Sequence, residues 1–307
     1  MGVLLTTMVV ALPATEAACF ATVIHVHTWT ETLLSRVLRA RDSLALHRCP
    51  LYVVTTGFQL SVEGVTTVDG TETSTLRETY PSITGQLHRK AFGGWKGDRG
   101  VLLAYATATA EAPPGPSRPE RLRGQVASSP RFYWNIESDV DWKGDLYSIL
   151  SDWDDRGEDL LCVDHRKTPY DWEHASSHDA GDWMDAKDKH NCLMTIARAS
   201  APLLDRVLDV AKSPGHRAYL ELRFASECER MRRLHDNCTA RELFDSDDRA
   251  KRRKGDLFTW TGSKRHRRFN KPSRYKQLFG AAPNGTLWHP VKDDGAWRLQ
   301  PAPHAGT

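Results

Sequence analysis

The chain predicts an α/β protein built on a mostly parallel sheet. Three observations predict it. Residues 21–27 and 51–55 are short apolar runs rich in β-branched side chains. Between them, Leu33, Leu34, Val37, Leu38 and Leu44 recur at helical spacing. Further apolar runs at 131–136, 159–163 and 193–197 alternate with helical patterns at 97–110, 202–211 and 219–234. A strand–helix–strand order requires a crossover, and the crossover makes the two strands parallel neighbours.

The elements follow in order. Residues 21–27 are continuously apolar, as expected of a strand buried on both faces. Thr28 or Thr30 supplies a helix N-cap, with Glu31 in the first turn. A third short strand is expected at 65–68. Residues 77–96 are polar and aromatic and lead into the helix at 97–110. Residues 112–129, rich in Pro, Gly, Ser and Arg, read as a loop insertion. A strand at 131–136 runs into Glu137, Asp139 and Asp141, and residues 145–150 begin a helix. Residues 164–190 mix Trp, His and Asp without periodicity and read as a long functional loop. Residues 245–276 form a second loop insertion, and 300–307 a disordered tail. One domain over 19–299 accommodates all of this, and no internal repeat is visible.

Composition narrows the classes. The chain has 307 residues, 40% hydrophobic and 26% charged, which suits one globular α/β domain. Ten Trp imply a bulky core before they imply a binding surface. Net charge is only +3, so a global polyanionic partner is not indicated. The charge is segregated, however: residues 251–276 hold eleven Lys or Arg against one acid, Asp256. None of the six Cys forms a CxxC pair, which argues against a zinc finger or thioredoxin-type site and leaves disulfides open. Asn237-Cys238-Thr239 and Asn284-Gly285-Thr286 fit the N-glycosylation sequon. Residues 3–12 are apolar and 13–18 small, like a secretory signal over 1–18 cleaved near Ala14, Ala17 or Ala18. Met1-Gly2 lacks the usual positive side chain; a mis-started chain is the alternative. The run falls short of the roughly 20 residues of a transmembrane helix. The expected location is the secretory pathway, in the ER or Golgi lumen.

The chemistry concentrates where an apolar strand ends in carboxylates. In open α/β sheets ligands sit beyond the carboxyl ends of strands. Continued extension would put Glu137, Asp139 and Asp141 on one side. Three such charges repel unless a cation or strong donors balance them, and oxygen donors favour a hard ion, Mg²⁺ or Mn²⁺, able to hold a diphosphate. The alternative is a solvated loop whose acids cap the next helix.

The stretch Tyr133-Trp134-Asn135-Ile136-Glu137-Ser138-Asp139-Val140 resembles the W-x-I-E-x-D-V form of the DxD motif of GT-A-fold glycosyltransferases. Gly144 and Asp145-Leu146-Tyr147 continue the likeness, with Glu137 replacing the first Asp. Residues 159–166, 195–204, 219–221 and 287–292 resemble later family segments in the same order, so the likeness spans about 21–292. It implies a Rossmann-like GT-A fold with a central, mostly parallel sheet. It also implies metal-dependent sugar transfer from a nucleoside-diphosphate sugar to a glycan, protein or lipid hydroxyl. In that reading Glu137, Asp139, Asp141 and His289 hold Mn²⁺ or Mg²⁺. Thr28, Thr56 and Arg198 contact the donor, Trp172 and His174 the acceptor, and Glu221 is the general base if the anomeric centre inverts.

Each residue has a structural alternative. Glu221 could pair with Arg217 or Arg223, His289 could be a turn residue before Pro290, and Arg198 a surface cation. Trp172 and His174 could cover the core, and His25 and His27 read as core residues. The competing function is a non-catalytic binding protein with a degenerate transferase domain, holding polyanions or nucleic acid through 251–276. There Phe258, Trp260, Phe269 and Tyr275 interleave with the cations. No recognised nucleic-acid module supports it.

Overall fold

The structure is a computed structural model. It describes residues 20–26, 29–71, 73–83, 97–111, 130–167, 183–216, 218, 220–234, 236–243, 258–259, 284–285 and 287–288.

The first βαβ unit forms as expected. β1 (Ala21–Val26) and β2 (Leu51–Thr55) are buried throughout and pair in parallel, Thr22 opposite Leu51. Between them α1 (Glu31–Ala45) starts at Thr30, whose hydroxyl accepts from the Leu33 amide at 3.1 Å. Such a cap satisfies a donor that the first helical turn leaves unmatched. Leu33, Val37, Ala40 and Leu44 form the buried stripe of α1. Each large aliphatic side chain in it contributes about 1.5–3 kcal/mol by leaving water.

β3 (Thr66–Asp69) adds to β2, and α2 (Ser74–Thr79) and α3 (Gly97–Glu111) precede β4 (Phe132–Glu137), which pairs in parallel with β1. After β5 (Asp141–Trp142) and α4 (Leu146–Ser151) come β6 (Leu160–Lys167) and β7 (His190–Ser200). Then follow α5 (Ala201–Ala211), α6 (Leu220–Arg233) and β8 (Ala240–Glu242). The central sheet has seven strands in the order β3-β2-β1-β4-β7-β6-β8. Only β7 runs against its neighbours, β4 and β6. The fold is therefore α/β, with a Rossmann-like, mostly parallel sheet.

Helices cover both faces. Val23, Tyr133 and Cys162 point to one side and pack with Leu102, Leu203 and Phe224 of α3, α5 and α6. Ile24, Trp134 and Leu161 point to the other, against Val37 and Leu44 of α1 and Leu150 of α4. This alternation is the period-2 pattern of the strands.

A second, three-stranded sheet has the order β5-β10-β9, with β9 at Phe258–Thr259 and β10 at Leu287–Trp288. β9 lies inside the segment expected to be loop. Two disulfides are described, Cys162–Cys192 between β6 and β7, and Cys228–Cys238 between α6 and the approach to β8. Cys49 is also disulfide-bonded. No helix among the described residues is long and apolar enough to cross a membrane.

Candidate active site

The sheet changes direction of winding between β1 and β4. From β1 the chain moves outward to β2 and β3, then returns to place β4 on the other side. Such a switch point opens a crevice beyond the carboxyl ends of the two strands. His25 of β1 lies opposite Glu137, the last residue of β4, and the acid-rich turn follows at once. The Val140 amide closes the turn on the Glu137 carbonyl at 3.0 Å. Glu137 is half-buried, and Asp139 is only 9% exposed.

β2 contributes Thr56, half-buried just past its carboxyl end, with its amide bonded to the Val26 carbonyl at 3.2 Å. Its hydroxyl is 3.3 Å from His25 Nε2. His25 is thus a hydrogen-bonded core residue at the floor of the crevice, as its position in a buried strand suggests. α3 approaches it through Gly100, where a Cβ would come within 2.8 Å of the His25 Cβ. Only glycine lets helix and strand meet this closely. Trp29 and Phe58 stand just past the ends of β1 and β2 as a tilted pair with centroids 6.2 Å apart.

The expected common side for three acids is corrected. The chain turns at Ser138 and Asp139, so Asp141 begins a new strand and faces α1. Its carboxylate meets Arg36 Nε at 3.3 Å, pairs with the Arg39 guanidinium, and accepts from the Trp142 amide at 2.8 Å. Arg36 also donates to the Ser138 carbonyl at 2.8 Å, and Arg39 to that of Trp142 at 2.9 Å while lying over the Trp142 ring. Asp141 therefore braces the turn. The two arginines were not singled out from sequence. The signal was present: Arg36 falls at helical spacing inside the apolar stripe of Leu33, Val37 and Ala40.

Arg198 also differs from expectation. It is fully buried, stacks 4.0 Å from the Phe132 centroid, and donates to the carbonyls of Trp153, Arg156 and Glu158. It pairs across the sheet with Trp134, in the amino half of β4. Burial brings its guanidinium down to about 10, opposed by Asp154 and Glu158. It holds the loop after α4 through these carbonyls.

Glu221 lies half-buried in the first turn of α6, the location expected from sequence. The next residue, Leu222, packs with Met184 and Ala218, and Trp183 beside them stacks on His216 with centroids 4.7 Å apart. Arg223 is fully buried and donates to the Ser82 hydroxyl and carbonyl and to the carbonyls of His216 and Ala218. It ties the start of α6 to the segment after α2. Thr28, Trp172, His174 and His289 lie outside the described residues, as do His27, residues 1–18, 112–129 and 300–307, and most of 245–276. The strand before His289 in sequence is described: Trp288 pairs with Asp141.

Among the described residues, no group of three or more His, Cys, Asp or Glu is placed to hold a metal ion. With Asp141 turned to α1, two carboxylates of the acid run, Glu137 and Asp139, remain at the switch point. Both are hard oxygen donors of the kind Mg²⁺ or Mn²⁺ takes, and such an ion completes its shell with waters and substrate phosphate oxygens.

No protein-family model matches this chain, and no curated protein matches it. Among solved structures, it aligns with the apo-form glycosyltransferase GlyE of Streptococcus pneumoniae TIGR4 at 11% identity and a TM-score of 0.32. The alignment covers 90% of this chain and 55% of that one, so this chain spans about half the length of GlyE.

Proposed function

We propose that this chain is a metal-dependent glycosyltransferase of the GT-A type, moving a sugar from a nucleoside-diphosphate sugar to an acceptor hydroxyl. One observation carries the reading: the acid turn that resembles the family motif sits at the switch point of a doubly wound sheet, the part of such folds that binds ligands. Mn²⁺ or Mg²⁺ held by Glu137 and Asp139, with His289 as a further ligand, would offset the charge of the departing diphosphate. Thr28 and Thr56 would line the nucleoside end, beside Trp29 and Phe58. Glu221 would take the acceptor proton as the acceptor oxygen bonds the anomeric carbon and the diphosphate oxygen leaves it, if the centre inverts. Trp172 and His174 would contact the acceptor. The disulfides support an oxidising compartment, as in the lumen of the secretory pathway.

The test is hydrolysis of common nucleotide sugars, with and without Mn²⁺, by the natural chain and by Asp139→Asn. We expect metal-dependent turnover of one donor and its loss in a folded Asp139→Asn protein. Full activity in that variant would sink the metal assignment. No turnover of any donor, with retention on immobilised RNA that weakens with salt, would favour the binding-protein reading.

A further inference from the structure

We propose that Asn237 carries an N-linked glycan and that its attachment competes with closure of the Cys228–Cys238 disulfide. The inference rests on the lumenal part of the reading above, not on the catalytic part. The acceptor sequence is Asn237-Cys238-Thr239, so its central residue is itself a disulfide partner.

In the folded chain this sequence is locked. Asn237 has φ 52°, in the left-handed region. Cys238 is 1% exposed and bridged to Cys228, ten residues earlier. The Thr239 amide donates to Asp159 Oδ2 at 3.0 Å, and its hydroxyl lies 3.4 Å from the same oxygen. Ala240 then pairs with Leu160. A transferring enzyme must reach the Asn amide and the Thr hydroxyl together. Here the hydroxyl, though exposed, lies against Asp159, and the residue between is buried and cross-linked. The unfolded chain has none of these constraints.

The finished fold nonetheless tolerates the product. Asn237 is exposed, and β8 begins at the amino end of β6. That is the edge of the sheet opposite the acid turn, so a glycan there leaves the crevice open. Asn237 is therefore a site that must be used early. The Asn237 side-chain nitrogen loses a proton and bonds the first sugar of a lipid-diphosphate-linked oligosaccharide, and the lipid diphosphate leaves. Closure of the ten-residue disulfide loop is the competing event.

The full chain is translated with ER microsomes in an Asn284→Gln background, so that one mass shift reports Asn237 alone. Thr239→Ala marks the unmodified mass. We expect partial occupancy that rises roughly twofold or more with Cys228→Ser, and likewise for the unaltered cysteines under dithiothreitol. Cys162→Ser with Cys192→Ser, which also delays folding but leaves the sequon's bridge in place, should not raise it. Equal occupancy in all arms, or none in any, overturns the proposal. An equal rise in the Cys162/Cys192 variant overturns it too. A chain that stays outside the microsomes and protease-sensitive overturns both the lumenal reading and this one. Entry without modification overturns only this one.

Discussion

Asp139 and Asp141 are two residues apart, and substitution should separate their roles. Asp141 is the counter-charge for Arg36, whose side chain is 3% exposed. Asp141→Asn keeps the shape but removes the negative charge paired with that guanidinium, a change that costs about 3–5 kcal/mol for buried pairs. We expect a clear fall in melting temperature, with activity lost through the misplaced turn. Asp139→Asn should leave the protein folded and abolish metal-dependent turnover. Glu221→Gln is expected to lower full transfer about 10²-fold or more while leaving donor binding little changed. Thermal melts, donor binding and turnover measured together distinguish the three.

His165 gives a pH dependence. Burial lowers its pKa below the usual 6.5, stacked His190 lowers it further, and Glu229 opposes both. The unfolded chain then binds the proton more readily than the folded one. Stability is full above about pH 6.5 and declines as pH falls from there toward the folded pKa. His165→Gln should flatten that part of the melting-temperature profile, and an unchanged slope would assign it to other groups.

Among the elements, α1 and α3 set the crevice. Thr30→Ala removes the N-cap of α1 and should cost about 1 kcal/mol, read from denaturant melts. Gly100→Ala forces a methyl onto the His25 Cβ and should cost about 1–3 kcal/mol by overpacking. Most of these elements were legible. β1, α1 and β2 show in the sequence because buried strands and an amphipathic helix have distinct periods. β5, β8, β9 and β10 did not show: they are two or three residues long and exist because of the strand beside them, not because of their own pattern. α2 buries no residue and so left no apolar stripe to read. At the site, the sequence located the acid turn because three carboxylates after an apolar strand are conspicuous. It could not say that the chain turns at Ser138, because the force that aims Asp141 comes from Arg36 and Arg39, about a hundred residues earlier.

For the whole molecule, the disulfides bear on stability through the unfolded chain. Cys162–Cys192 closes a span of 30 residues and Cys228–Cys238 one of 10. Loop-entropy reasoning assigns them about 3.7 and about 2.7 kcal/mol. Replacing each pair by Ser should lower the melting temperature, the longer bridge more, and reduction, which also opens the Cys49 bond, should lower it further than either.

The pairing of β10 with β5 bears on how the protein is made. The partner of Asp141 across that small sheet is Trp288, and Leu287 is buried against the core beside it. A ribosome has produced the whole seven-stranded sheet by residue 242, yet the strand leaving the acid turn still lacks its β10 partner. That pairing forms only when residues 287 and 288 emerge. A chain stopped after residue 283 should fold its central sheet, retain most of its far-ultraviolet circular dichroism, and turn over no donor. Assembled in this order, a partly synthesised copy has its central sheet before the short strand that pairs beside the acid turn.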